Sequence, residues 1–153
     1  MEVGMVMVMQ GFGYEGLSDA GVYEQELELA LLAEAQGLDH IWVVEHHFED
    51  YAFCPDNFMY LAYLAARTKK IRLATGAVIL PWHAQPLRVA EKAAMLDNLC
   101  DGRLIFGLGR GLSRFEFEGF GIEMGESRER FDEAAPMVLD ALETGWMAEH
   151  EGK

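Results

Sequence analysis

Short apolar runs alternate with longer amphipathic ones along this chain, and the alternation predicts a repeating strand–helix unit. Residues 3–9 are apolar with β-branched members and read as a buried strand. Gly11, Gly13 and Gly16 then mark a loop. From about 22 to 36, Tyr23, Leu27, Ala30, Leu31 and Ala35 recur at helical spacing with acids opposite, and Gly37 supplies a stop. Residues 40–44 are a second strand, with Glu45-His46-His47-Phe48 at its C-terminal end. A second helix starts at Pro55 and Asp56 and runs to about Thr68. Residues 71–80 are a third strand, interrupted by Gly76. Gln85-Pro86 opens a third helix that reaches about Leu99, with proline at a tolerated first-turn position. Asp101-Gly102 is a turn, residues 103–108 are the fourth strand, and a loop rich in Phe and Glu follows. A last helix starts near Ser127 and reaches about Glu143, with Pro136 expected to bend or interrupt it.

The order is βαβαβαβα. Strict alternation with apolar strands implies an α/β fold with a parallel sheet covered by helices. A doubly wound sheet and part of a (β/α)₈ barrel both fit. A whole barrel takes about 250 residues, so 153 residues provide the first four units of one. No composition shift marks a second domain, and residues 1–153 are taken as a single unit.

Charge narrows the choice of partner. Twelve basic and 26 acidic residues give a net charge of -14, which repels nucleic acid and anionic membrane surfaces. Any anionic ligand must then be held by local positive groups. Cys54 and Cys100 form neither a zinc spacing nor a disulfide framework, so the expected compartment is the reducing cytoplasm. The first apolar run lacks a basic flank and a cleavage site, so no signal peptide is expected, and no segment approaches a membrane span.

In parallel α/β folds, functional groups collect at the C-terminal ends of the strands. Here those ends carry Glu45-His46-His47, then Gly76-Ala77 and Pro81-Trp82-His83, then Gly109-Arg110-Gly111. His46 and His47 are neighbours and face opposite ways on extended backbone. They suit acid–base work, and a satisfied structural pair is the alternative. Metal binding by Glu45, His46, His47 and His83 lacks a helical ligand spacing, and no metal is assigned. Gly107, Gly109 and Gly111 leave one face bare, either for a flat ring or for tight packing. Arg110 lies between two of these glycines, and Arg128 lies in the first turn of the last helix. Both suit a phosphate, while a surface pair with Glu126, Glu129 or Asp132 is the alternative for Arg128.

Taken together, these residues resemble the luciferase-like flavin monooxygenases, and the resemblance covers nearly the whole chain. It is carried by Glu45-His46-His47-Phe48, by residues 76–81, 85–91 and 96–103, and by Gly107-Leu108-Gly109-Arg110-Gly111 and Ser127-Arg128. Each motif is weak alone, and their order and spacing are specific.

The resemblance implies a (β/α)₈ barrel of TIM-barrel type with reduced FMN at its C-terminal mouth, O₂ as co-substrate and a small organic substrate. A separate reductase supplies the reduced flavin. By resemblance, His46 is the catalytic histidine and His47 its support, and Glu45 lies near the flavin ring. Gly76-Ala77 is the position that often holds a non-proline cis peptide beneath the ring, Gly109 flanks the cofactor, and Arg110 and Arg128 surround the phosphate. Family members dimerise through helices two and three, whose alanine-rich faces fit that use. Gln85 stands where luciferases often have histidine, and Gly109 where luciferase has a thiol, so light emission is not expected. Family members continue through four more units, so this chain is expected to be incomplete, with residues 149–151 near a fifth strand. The loop carrying Phe12 and Tyr14 is expected on the substrate side. The alternatives are an oxidoreductase using the deazaflavin F420 on the same fold, and a non-catalytic flavin-binding or assembly half-barrel.

Overall fold

A computed structural model describes residues 1–13, 16–147, 149 and 152 of the chain. Tyr14, His150 and Glu151, on which two expectations rested, lie outside the described residues.

Gly4–Met7 (β1), His40–Val43 (β2), Arg72–Thr75 (β3), Val78–Ile79 (β4), Leu104–Ile105 (β5) and Leu108–Gly109 (β6) are the strands. Asp19–Ala35 (α1), Asn57–Ala65 (α2), Pro86–Leu99 (α3), Arg114–Gly119 (α4) and Ser127–Thr144 (α5) are the α-helices. β1, β2, β3 and β5 form one parallel sheet in that order, and β4 pairs parallel with β6. The α/β reading and the parallel sheet are therefore observed. Register places Met5 beside Ile41, Ile41 beside Leu73 and Leu73 beside Leu104. Ile41, Val43 and Leu73 are fully buried in one cluster with Leu61, Leu64, Val89 and Leu96. The opposite face is more open, with Val6 62% exposed and His40 and Trp42 half-buried. Helices thus cover one face of this sheet, as the period-2 alternation of burial in β2 requires.

The third strand breaks at Gly76, as expected. The fourth also breaks, between Ile105 and Leu108, and the cause is local. The Thr75 hydroxyl accepts from Gly107 N–H at 2.8 Å and donates to Gly107 C=O at 2.9 Å. A side chain takes over from the backbone ladder there. A Cβ on residue 107 would run into the Thr75 carbonyl oxygen, so glycine is required.

Helix boundaries follow their caps. Ser18 accepts from Gly21 N–H at 3.1 Å and starts α1 three residues before the hydrophobic pattern does. Asp56 accepts from Met59 N–H and starts α2 close to the expected position. α2 ends at Ala65, short of the expected Thr68. α5 runs through Pro136 without interruption, so of the bend or break expected there the break does not occur. Ala134, Ala135 and Val138 are buried there and the helix packs against α3, which offsets the lost backbone bond. The Phe- and Glu-rich stretch read as a loop contains α4, capped by Ser113. No helix among the described residues is long and apolar enough to cross a membrane.

Two side chains fasten the N-terminal ends of the strands. Glu34 Oε1 accepts from the backbone N–H groups of Lys69, Lys70 and Ile71 at 2.7–3.0 Å. Burial pushes its carboxyl up, but these donors outweigh burial, and the net shift is downward. Arg103 makes five hydrogen bonds, to the carbonyls of Cys100, Ile71, Ala65 and Thr68 and to the Thr68 hydroxyl. A guanidinium has five N–H donors, so none is left over. These bonds occupy carbonyls just where α2 stops.

Arg103→Ala is expected to lower the unfolding free energy by about 2–3 kcal/mol. Arg103→Lys should recover little of that, since an ammonium has fewer donors and no planar fork. Urea denaturation of the three proteins measures this. A loss under about 0.5 kcal/mol for Arg103→Ala, the range of ordinary surface changes, would show that the five bonds contribute nothing net.

Candidate active site

All six strands run parallel to their neighbours, so the residues after β2, between β3 and β4, and after β4 and β6 share one end of the fold. That end carries Glu45, His46, His47, Ala77, Trp82, His83, Gly109 and Arg110.

Glu45 is buried at 5% exposure. Its Oε1 accepts from Trp82 Nε1 at 2.6 Å and its Oε2 from Ile79 N–H at 3.3 Å. His47 Nε2 lies 3.4 Å from Oε1. His83 Nε2, at 3.7 Å, is beyond hydrogen-bond length and acts as a nearby polar or charged group. Burial alone pushes the Glu45 carboxyl up, yet His47, His83 and Trp82 outweigh it and hold it at about 2. Glu45 is therefore ionised although almost dry.

The two histidines turn to different carboxyls, as opposite-facing neighbours should. His46 Nδ1 lies 2.9 Å from Glu116 Oε1. His47 serves Glu45 instead, and its backbone N–H donates to Glu116 Oε1 at 2.8 Å. The His47 ring stands edge-on to Phe120 at 4.8 Å and to Trp82 at 5.5 Å. Trp82 stacks on Phe120 at 5.1 Å. The His46 side chain is 22% exposed against 11% for His47, and its main ring neighbour is Tyr51 at 5.6 Å. Tyr51 in turn meets Phe12, which places Phe12 on the His46 side of the rim.

The Gly76–Ala77 peptide bond is cis. Asn57, wholly buried, donates from Nδ2 to Ala77 C=O at 3.1 Å and Val43 C=O at 3.4 Å. Space around the rim glycines is occupied by protein. A Cβ on Gly109 would lie 2.7 Å from Ile79 Cδ1 and 3.2 Å from Ala77 Cβ. Gly111 has φ +80° and faces Ile79 and Phe117. Close packing of β6 on β4 accounts for these glycines without a ligand.

Arg110 and Arg128 are exposed, and neither has a hydrogen-bond or ion-pair partner among the described residues. Glu126, offered above as a surface partner for Arg128, pairs with Arg130 at 3.0 Å. Arg128 sits in the first turn of α5, which no side chain caps. Cys54 and Cys100 are free and buried, and burial pushes the Cys54 thiol up to about 12, so it is no nucleophile near neutral pH. Among the described residues, no group of three or more His, Cys, Asp or Glu side chains is placed to hold a metal ion.

Sequence reasoning missed Glu116 altogether. Its signal was Ser113-x-x-Glu116, the spacing of a capping box. Ser113 does accept from Glu116 N–H, at 3.4 Å. The Glu116 carboxyl, however, points to the histidines. Trp82 as a donor to Glu45 was also missed; nothing in its local sequence signals that bond.

The depressed Glu45 group sets a direction with pH. Its folded value lies below the ordinary 4.5, so the stability it contributes is full above that range and is lost as pH falls toward about 2. The loss is about 3 kcal/mol at most. Denaturation of the parent and of Glu45→Gln at about pH 7 and about pH 3 isolates it. The gap between the two proteins should shift by about 2 kcal/mol against the parent at the lower pH; a pH-independent gap would mean the buried carboxyl is not held ionised.

Comparison with known proteins gives the site its context. The model of the luciferase-like monooxygenase family matches residues 1–153. The oxygenase component of the flavin-dependent trigonelline monooxygenase of Acinetobacter baylyi is 35% identical over 133 residues, covering 85% of this chain and 35% of the relative. An alkanal monooxygenase alpha chain of Photorhabdus luminescens is 32% identical over 130 residues, covering 85% and 36%. The crystal structure of monooxygenase RslO1 from Streptomyces bottropensis superposes with a TM-score of 0.85 at 42% identity, covering 92% of this chain and 42% of that one. The chain thus spans about a third of the length of the curated relatives it matches. With a family match along all 153 residues, the chain belongs to the luciferase-like monooxygenases.

Proposed function

We propose that these residues are the N-terminal half of a (β/α)₈-barrel monooxygenase that uses reduced FMN and O₂ to oxidise a small organic substrate without emitting light. The supporting observation is the shared rim: Glu45, His46, Gly76-Ala77 and Arg110 follow successive parallel strands at one end.

The residues present fit FMN. Arg110 and Arg128, like Arg88 and Arg114, are exposed and their side chains have no hydrogen-bond or ion-pair partner among the described residues, in a chain of net charge -14. Unsatisfied arginine beside an uncapped helix start suits a phosphate. Arg110 and Arg128 would hold that phosphate, with Glu45, Gly76, Ala77 and Gly109 toward the ring. Reduced flavin supplies the electrons that activate O₂. His46, the more open histidine, holds or moves a proton at Nε2, and His47 supports it from within the aromatic cluster. The exposed side chains of Met59, Tyr63, Met95 and Leu99 on α2 and α3 fit a homodimer through those helices. A separate reductase fits the relative named as an oxygenase component.

Anaerobic titration of the 153-residue chain with reduced FMN, reduced riboflavin and reduced F420 tests the cofactor. Saturable binding with FMN favoured over riboflavin is expected, and Arg110→Ala should abolish that preference while sparing riboflavin. Equal weakening of both ligands removes the phosphate role, and tighter F420 binding overturns FMN. In a complete barrel containing these residues, His46→Ala should slow turnover by about 10²–10⁴-fold with FMN affinity kept. Unchanged turnover removes His46 from the chemistry.

A further inference from the structure

Glu116 is 2% exposed, yet no lysine or arginine pairs with it among the described residues. A buried carboxyl without a cation must be satisfied by hydrogen-bond donors. Its Oε1 has two: His47 backbone N–H at 2.8 Å and His46 Nδ1 at 2.9 Å. The first contact decides the second. A backbone N–H can only donate, so Oε1 is an acceptor there. An ionised carboxyl oxygen accepts two such bonds readily, whereas a protonated one is the poorer acceptor, so contacts of 2.8 and 2.9 Å to one oxygen favour the ionised form. With Oε1 accepting both bonds, the hydrogen between Oε1 and His46 sits on Nδ1. The neutral ring is thereby fixed with Nδ1 protonated and Nε2 bare. Nε2 has no hydrogen-bond partner among the described residues, and the side chain is 22% exposed.

We propose that Glu116 is a positioning residue, which sets the tautomer and orientation of His46 so that a bare Nε2 faces the open rim. This rests on the reading of His46 as the proton-handling group. The support is rigid. α4 starts on the Ser113 cap, and the next residue, Phe117, is wholly buried against Trp82 at 5.3 Å. A carboxylate bonded to one ring nitrogen also raises the basicity of the other. The Glu116 carboxyl does this in place of the usual return bond of a capping box. Glu45 is not equivalent, since its closest contact is Trp82, and His47 reaches it only at 3.4 Å.

A purely structural Glu116 would fasten His47 N–H and leave the His46 tautomer to its own preference. Long-range ¹H–¹⁵N spectra of the histidine rings in their neutral form separate the two roles. His46→Gln identifies the signals by their loss. In the parent chain, His46 Nδ1 is expected in the protonated nitrogen region and Nε2 in the unprotonated one. Glu116→Gln keeps an acceptor oxygen and should keep that pattern. Glu116→Met should invert it, moving the proton to Nε2. A parent spectrum with Nε2 protonated overturns the proposal, and so does an unchanged pattern in Glu116→Met. The parent spectrum decides alone where the Met variant does not fold. Turnover unaffected by His46→Ala in a complete barrel would instead sink the underlying reading, a failure the tautomer spectrum does not share.

Discussion

Glu45 has almost no water around it, and a carboxylate in that position stays ionised only where donors from several directions converge on it. Those donors come from separate segments of the chain. Ile79 N–H belongs to β4, Trp82 to the turn after it, and His47 to the loop after β2. One buried charge thus ties the ends of the second and third strand units. It also fixes Trp82, on which Phe117 and Phe120 stand. The position of α4 follows from those contacts, and with it the position of Glu116. Breaking a buried ionic cluster leaves its remaining members unpaired, which costs far more than losing a surface pair. Hence the rim depends on Glu45 even if Glu45 never meets a substrate.

The two ends of the sheet are built on opposite rules. At the N-terminal ends, Glu34 takes three backbone donors and Arg103 spends all five of its own, so polar groups there are satisfied. At the C-terminal ends, Arg110 and His46 Nε2 lack partners among the described residues. Arg110 and His46 Nε2 thus keep unmet hydrogen-bonding capacity at the end where ligands approach in parallel α/β folds. That contrast needs no ligand to be seen, and it supports placing function at this rim rather than in the apolar hollow beside Tyr23, Met59 and Tyr63.

Much of this was legible from local pattern. Short apolar runs located the four strand regions, Gly76 located the break in the third, and Glu45-His46-His47 fell at the end of β2 because strand-end placement follows from topology. What escaped were interactions made at a distance. The break at Gly107 depends on the hydroxyl of Thr75, 32 residues away. The early end of α2 depends on Arg103, 38 residues beyond Ala65. Glu116 lies 70 residues from His46 in a Phe- and Glu-rich run that reads as a loop, and only its spacing from Ser113 hinted at a helix. For the glycines at 107, 109 and 111 the sequence left a ring and tight packing both open, and the neighbours a Cβ would meet at each are protein atoms of Thr75, Ala77, Val78, Ile79 and Phe117.

Charge adds a last constraint on the proposed phosphate site. A net charge of -14 would repel an FMN phosphate if the field acted as a whole. Exposed charges, however, are screened over about 8 Å at physiological salt, so recognition turns on the nearest groups. Arg130 illustrates the competition: it lies two residues from Arg128 and is already engaged by Glu126. Arg128 and Arg110 escape such capture among the described residues. Under this reading the phosphate site is a local exception in the chain's charge, held open by the same strand-end geometry that presents His46.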